Sequence, residues 1–273
     1  MSNRFHLSIT PLKLADIPSE HSILRAGRAA LTSPIPWRQG KTYYHTVRTY
    51  SRPKSPWDGA AWHCRVSEHG SDEATFDEFW SKLGINKAAN EKNFTSEIKK
   101  VTLIKQLSPS QCICTIYYTF TPPISPRVFT VLQTTYLDET YPRMGFIVSI
   151  PIDLSDHPEL SRFEEKGVRG RYTSVERIME LGNGKVEWRM ATSSTPGGNI
   201  PQILIDSTIA GKISEDVPYF LKWLRSIRAR RRSMHRIESV HREVHTAFEG
   251  TNASATEWQR GETATSTTYL HFQ

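Results

Sequence analysis

The chain has 273 residues, 37% hydrophobic and 10% aromatic, which supports one large domain or two small ones around a real core and excludes a wholly disordered chain. Its uninterrupted apolar stretches are only a few residues long, too short to span a bilayer. The formal net charge is +7, yet the eight basic residues and one acidic residue between Lys222 and Arg242 account for all of it. The basic character therefore belongs to one segment, which argues against a core surface built for nucleic acid.

Met1 to Ala15 carries no continuous apolar segment and no small-residue cleavage site, so no secretory signal is expected. The three cysteines, Cys64, Cys112 and Cys114, are too few and too irregularly spaced for a disulfide framework. A reducing, cytoplasmic setting is the expectation. In chain order, Pro11 and Pro18 punctuate a lead-in. Ser19 to Leu31 reads as a helix with Ile23, Ala26, Ala30 and Leu31 on one face, weakened by Gly27. Thr42 to Tyr50 and Ala61 to Ser67 read as strands. Thr75 to Gly84 reads as a helix: Thr75 and Glu78 form a capping box, Phe76, Phe79, Trp80 and Leu83 make one apolar face, and Gly84 stands at the expected stop.

Strands then dominate: Cys112 to Phe120, Val128 to Leu137, Met144 to Ile150, Val168 to Leu181 and Lys185 to Ser193, the last two flanking the hairpin signal Asn183-Gly184. Beyond Pro196 to Pro201 the spacing of Ile213, Val217, Phe220, Leu221, Leu224 and Ile227 predicts a long amphipathic helix, with Pro218 as a place to kink or restart. Residues 246–273, rich in Thr, Ser, Ala, Glu and Gly without periodicity, read as a flexible tail. Strands followed by a segregated helix predict an α+β fold, with one domain over 1–232 and a basic helix extension and tail over 233–273.

This order resembles the START-like helix-grip architecture of the Bet v 1-like superfamily, in which a curved antiparallel sheet wraps a long C-terminal helix and encloses a cavity. The resemblance rests on Pro122-Pro123-Ile-Ser-Pro126-Arg127-Val-Phe129, on Ser149-Ile-Pro151 with Val168 to Ser174, and on Trp188 to Pro201 with its Gly197-Gly198 turn. Trp62 to His69 and Thr75 to Trp80 resemble an uncharacterised fungal START-like family. The resemblance covers about residues 10–232 and implies a hydrophobic ligand, without specifying one. Gly197 and Gly198 allow unusual φ or close backbone approach where the chain leaves a strand for the helix, and Pro201 suits a first helical turn.

Chemical motifs are sparse. His63 and Cys64 are adjacent, so a strand would point them to opposite faces. His241 and His245 are four apart, but Glu243 between them is one place late for a zinc-protease motif. There is no CxxC pair, no GxSxG and no phosphate loop, so no metal, cofactor or catalytic residue is assigned.

The alternation along the strands is more informative. It directs Trp188 and Met190 toward the helix. A two-residue turn at Asn183-Gly184 sets Met179 opposite Trp188 and brings Arg177 to the same face; a bulge at Gly184 instead brings in Tyr172, Glu176 and Ile178. Candidate lining residues are thus Tyr117, Tyr172, Arg177, Met179, Trp188 and Met190 from strands, and Asp206, Ile213, Val217 and Phe220 from the helix. Arg127 and Arg169 are candidates for turn anchors or an ion pair at the cavity mouth.

The basic stretch, with Arg228, Arg230, Arg231 and Arg232, is read as a solvated helix end or as a contact for an anionic membrane surface. It lacks an attached base-stacking platform, which disfavours nucleic acid. Three functions follow. The first is a carrier that holds a lipid or other hydrophobic small molecule. The second is an enzyme on the same fold, a cyclase or pericyclase acting on a polyketide or terpenoid through Tyr117, Tyr172, Arg177, Glu176 or Asp206. The third is an interaction module with a filled core. The sequence carries no signal for an oligomeric state.

Overall fold

The computed structural model describes residues 5–33 and 35–262, with side chains described through 241 except at 235, 239 and 240. A short strand β1 (Leu12–Lys13) and a 3-10 turn precede helix α1 (Glu20–Leu31). Ser19 caps α1 by accepting from the Ser22 N–H at 3.3 Å. Strands β2 (Arg38–Tyr43), β3 (Val47–Arg52) and β4 (Trp62–His69) follow, then α2 (Phe76–Phe79), a wider π turn over Trp80–Gly84, and α3 (Lys87–Glu91). The remaining strands are β5 (Ile98–Ser108), β6 (Gln111–Tyr118), β7 (Arg127–Asp138), β8 (Met144–Asp153), β9 (Val168–Arg169), β10 (Arg171–Glu180) and β11 (Val186–Thr195), with α4 (Pro158–Ser161) before β9. Helix α5 spans Gln202–Glu262.

The main sheet runs β2-β3-β4-β11-β10-β8-β7-β6-β5, every neighbour antiparallel, while β1 adds to β8 and β9 to β7 in parallel. Met1–Trp223 forms one compact unit and Leu224–Gln273 a second.

The sheet is buried on two sides. One face carries Trp62, Cys64, Val66, Ile113, Leu132, Val148, Val175 and Ala191, packed with Ile23 and Ala26 of α1 and Leu7 of the N-terminal arm. Each valine, leucine or isoleucine among them, fully buried, contributes roughly 1.5–3 kcal/mol. The other face meets α5. Phe220 of α5 packs on Phe79, Phe94 and Trp188 at ring-centre separations of 5.1, 5.6 and 5.3 Å. Burial on both sides explains why β4 is buried at nearly every position although its sequence alternates polar and apolar residues.

Three local departures from the sequence pattern have clear causes. Thr42 to Tyr50 is two strands, not one. Tyr44 and His45 hold φ of 50° and 63°, and the Thr46 N–H donates to the Tyr43 carbonyl at 3.2 Å. Tyr44 is not a usual left-handed residue, so the composition hides the turn. Gly27 is a packing residue: a Cβ there would stand 2.8 Å from Val148 Cγ2, so its absence brings α1 down onto β8. Gly84 does not take positive φ. It admits Trp80 instead, since a Cβ at Gly84 or at Gly145 would fall 2.4 Å or 2.3 Å from the indole.

Helix α5 runs through Pro218 without interruption. It continues over 246–262, part of the stretch whose composition suggests a tail; residues 263–273 lie outside the described residues, as do the side chains of Arg242 and His245. The turn before α5 needs its glycines. Gly197 and Gly198 hold φ of +69° and +65°, and a Cβ at Gly197 would meet the Arg169 carbonyl oxygen at 2.3 Å.

Gly145→Ala forces the Trp80 indole from its slot and is expected to destabilise the fold by about 1–3 kcal/mol, as overpacking does. The Gly145→Ala midpoint in urea, compared with wild type, measures it.

Candidate pocket between the sheet and the C-terminal helix

The hairpin at Asn183 decides which residues face α5. Leu181 and Lys185 extend the ladder, the Leu181 N–H donating to the Lys185 carbonyl at 2.8 Å. The loop is therefore the three residues Gly182-Asn183-Gly184, with Gly184 at φ +76°, the form in which a left-handed glycine closes the turn. Ile178 then lies opposite Trp188, Glu176 opposite Met190 and Tyr172 opposite Ser194. Of the two registers, the bulge is the one adopted. Arg177 and Met179 consequently point to the α1 side, where Arg177 pairs with Glu187 at 2.6 Å.

Helix α5 reaches this face through long side chains, and the space they leave is a pocket of about 340 Å³. Ile98, Phe129, Met190, Ile205, Ile209 and Ile213 supply apolar wall, and Lys87, Glu91, Glu176 and Asp216 supply charge.

The charged groups form one network. Lys87, 5% exposed, places Nζ 2.8 Å from Glu176 Oε1 and also pairs with Glu91. The second oxygen of Glu176 accepts from Trp188 Nε1 at 3.1 Å. The Arg65 guanidinium lies 3.8 Å from the centre of the Trp188 ring, a cation–π contact strengthened by desolvation. Arg65 Nη2 also stands 3.6 Å from Asp216 Oδ2.

Burial opposes the Lys87 charge, but Glu176 and Glu91 outweigh it and raise its pKa. Burial likewise opposes ionised Glu176, yet Lys87 and Arg65 outweigh it and hold its pKa below the ordinary value. With Lys87 and Arg65 so engaged, the remaining carboxylates are undercompensated. Burial raises the pKa of Glu91 against the pull of Lys87. Asp216, its side chain 29% exposed, is pushed up to about 7 by burial, with Glu91 and Glu176 adding to the shift and Arg65 opposing it. Burial also raises the pKa values of Tyr118 and Tyr172 well above the ordinary phenol value, so both present neutral hydroxyls to the pocket.

A family model described as "Protein of unknown function (DUF3074)" matches residues 62–224. The chain belongs to this family. No curated protein matches the sequence. Solved structures share the fold of this DUF3074 chain. Human StAR-related lipid transfer protein 5 aligns at TM-score 0.63 and 14% identity, over 77% of this chain and 96% of that one. Human STARD10 aligns at TM-score 0.63 and 11% identity, over 80% and 84%. A STAR-related lipid transfer protein fragment from Xanthomonas axonopodis aligns at TM-score 0.54 and 14% identity, over 69% and 98%. At such identities the likeness is one of fold, and the fold is the START-like helix-grip α+β form: a large antiparallel sheet with a long C-terminal helix.

The sequence-derived candidates separate accordingly. Tyr172, Met190 and Ile213 line the pocket. Trp188, Val217 and Phe220 are buried on the α5 side outside the pocket wall, and Trp188 bears on the pocket through Glu176. Tyr117 pairs with Val128 on the face opposite to Tyr118, and it is Tyr118 that lines the pocket. Asp206 accepts from Gln202 Nε2 at 3.0 Å and lies 3.5 Å from His63 Nε2. Among the described residues, no two of Tyr117, Tyr172, Arg177, Glu176 and Asp206 hydrogen-bond each other. Arg127 is buried and donates to the Ser125 carbonyl; Arg169, 60% exposed, pairs with Glu164 at 2.6 Å. Arg230, Arg231 and Arg232 are exposed.

Sequence reasoning missed Lys87, Glu91, Arg65 and Asp216. Asp216 carried a signal, an acid three residues after Ile213 and one before Val217 within the apolar stripe. Lys87 and Glu91 carried none, because α3 is a five-residue helix entered through Asn86 at φ 50°.

The Asp216 shift has a definite consequence for stability. A carboxyl whose folded pKa exceeds its unfolded value of about 3.9 favours the fold at low pH and loses that contribution as pH rises toward the folded value. Wild type is therefore expected to lose stability relative to Asp216→Asn between about pH 4 and pH 7, with the full difference reached by pH 8. Urea midpoints of both proteins at pH 4, 6 and 8 check the sign.

Proposed function

We propose that the chain holds a lipid or other hydrophobic small molecule in the pocket between the sheet and α5, as a carrier or a sequestering protein. The observation that carries this reading is the pocket's composition. An apolar wall of isoleucines, Phe129 and Met190 adjoins a floor of buried, hydrogen-bonded charge, which suits a ligand with an apolar body and a polar end. Burying apolar ligand surface contributes about 25 cal/mol per Å² before the costs of association. Lipid transfer proteins are among the structures that share the fold, which supports the same reading. Arg228, Arg230, Arg231 and Arg232 serve as the contact with anionic membrane, each basic residue near such a surface contributing about 1 kcal/mol.

Native mass spectrometry of the full chain purified from its own host, followed by organic extraction, tests the binding. A co-purifying apolar molecule released on denaturation is the expected result. Met190→Trp, which fills the pocket, is expected to lower its occupancy at least about tenfold while the circular dichroism spectrum is retained. A ligand-free mass with no uptake from a panel of lipids would overturn the reading.

Membrane contact is tested separately, by sedimentation with phosphatidylserine-containing vesicles. Replacing Arg230, Arg231 and Arg232 together by Gln is expected to weaken association more than about tenfold. Unchanged sedimentation would remove the membrane from the account.

A further inference from the structure

The pocket beside α5 is unevenly charged. Among the described residues its wall holds five carboxyl groups, on Glu91, Glu97, Glu176, Glu215 and Asp216, but two amines, on Lys87 and Lys212. Both lysines are already shared. Lys87 is held between Glu176 and Glu91. Lys212 Nζ stands 3.0 Å from Glu215 Oε2 and 3.8 Å from Glu97 Oε1. Arg65 is not part of the wall. Its guanidinium lies over Trp188, and its Nη2 stops 3.6 Å from Asp216 Oδ2, beyond hydrogen-bond reach.

Two of the acids open into this space. Asp216 and Glu91 keep 29% and 22% of their side-chain surface accessible, yet burial is the largest cause of the rise in both pKa values. Groups that are accessible but poorly solvated face a protein-lined cavity and not bulk water. Among the described residues, neither oxygen of Asp216 accepts a hydrogen bond. A carboxylate in this position gains from a donor that a ligand brings.

The sign of the ligand's polar end follows. An anion would find each cation already engaged and would add to the excess of negative charge. A neutral hydroxyl would donate one hydrogen bond and leave the excess in place. A cation would offset it through a charge-assisted bond, about twice as strong as a neutral one. Ile213 and Ile209 line the pocket about one and two turns before Asp216 on the same helix. An alkyl chain lying along them carries its end to the carboxylate.

We propose that the pocket selects amphiphiles whose polar end is a cation with no anion beside it, a long-chain amine in chemical class, seated against Asp216 and Glu91. This rests on the pocket being a ligand site and goes on to fix the ligand's charge. Burial, with Arg65 of β4, Lys87 and Glu91 of α3 and Glu176 of β10 around it, sets the Asp216 pKa at about 7; Tyr118 of β6 also faces it. The cation therefore binds best above that pH, where Asp216 is ionised.

Calorimetric titration of the full chain with decylamine, decanol and decanoate tests it, since the three share one alkyl chain. Decylamine stays protonated up to about pH 9. At about pH 8 it is expected to bind at least about tenfold more tightly than decanol, and decanoate more weakly than decanol. The ratio of decylamine to decanol affinity is expected to fall at least about fivefold between about pH 8 and pH 5.5, as Asp216 takes up its proton. Asp216→Asn is expected to lower that ratio at pH 8 by a similar factor and to remove most of its pH dependence. Met190→Trp is expected to weaken decylamine binding at least about tenfold. Equal binding of the three probes, tighter binding of decanoate, or a ratio that neither pH nor Asp216→Asn alters would overturn the charge selection and leave the pocket reading intact. Decylamine binding undiminished in Met190→Trp would place the amine elsewhere and overturn the proposal too. No binding of any probe would overturn both.

Discussion

Lys87 and Glu176 meet at 2.8 Å in a setting where each is almost wholly removed from water. Neither charge could persist there alone. An isolated buried ion costs several kcal/mol, and the attraction repays it only with good geometry and further hydrogen bonds. Glu91 pairs with the same ammonium, and Trp188 donates to the other carboxylate oxygen. Arg65 then stacks on Trp188 and faces Asp216 of α5. One run of contacts thus ties the short helix α3, the strands β4, β10 and β11, and the C-terminal helix around a common point. Glu91 and Asp216 are the members left undercompensated, and burial holds the Asp216 proton to about pH 7.

The same network divides the space under α5. On one side the aromatic cluster of Phe79, Phe94, Trp188 and Phe220 fills the gap between helix and sheet. On the other, the side chains of Ile205, Ile209 and Ile213 leave it open against Tyr172 and Met190. The fold can keep this opening because the opposite face of the sheet supplies a packed core. Trp62, Val148 and Val175 bury themselves against Ile23 and Ala26 of α1, so the α5 face is not the only source of hydrophobic stabilisation.

The fold class was legible because its largest signals are local. The capping box at Thr75 forms as read, with both reciprocal bonds present, and Ser19 caps α1. The stripe from Ile213 to Phe220 is a helix face. What failed was non-local. Two-sided burial puts His63, Arg65 and Ser67 inside, although an alternating strand read by itself assigns its polar residues to solvent. The turn at Tyr44-His45 lacks the residues that announce one. The hairpin at Asn183-Gly184 announced itself but not its register, and one residue of register exchanges Arg177 and Met179 for Glu176 and Ile178. Lys87 and Glu91 became site residues only through tertiary packing, which no spacing rule records.

The central claim is that Lys87 and Glu176 stabilise each other in place. A double-mutant cycle of Lys87→Met and Glu176→Leu, read by urea unfolding, measures this directly. Each single variant leaves a buried charge short of a partner and is expected to lose about 3–5 kcal/mol, and the double variant to lose several kcal/mol less than the sum. Additive losses would show that the two charges do not depend on each other, and would contradict the account.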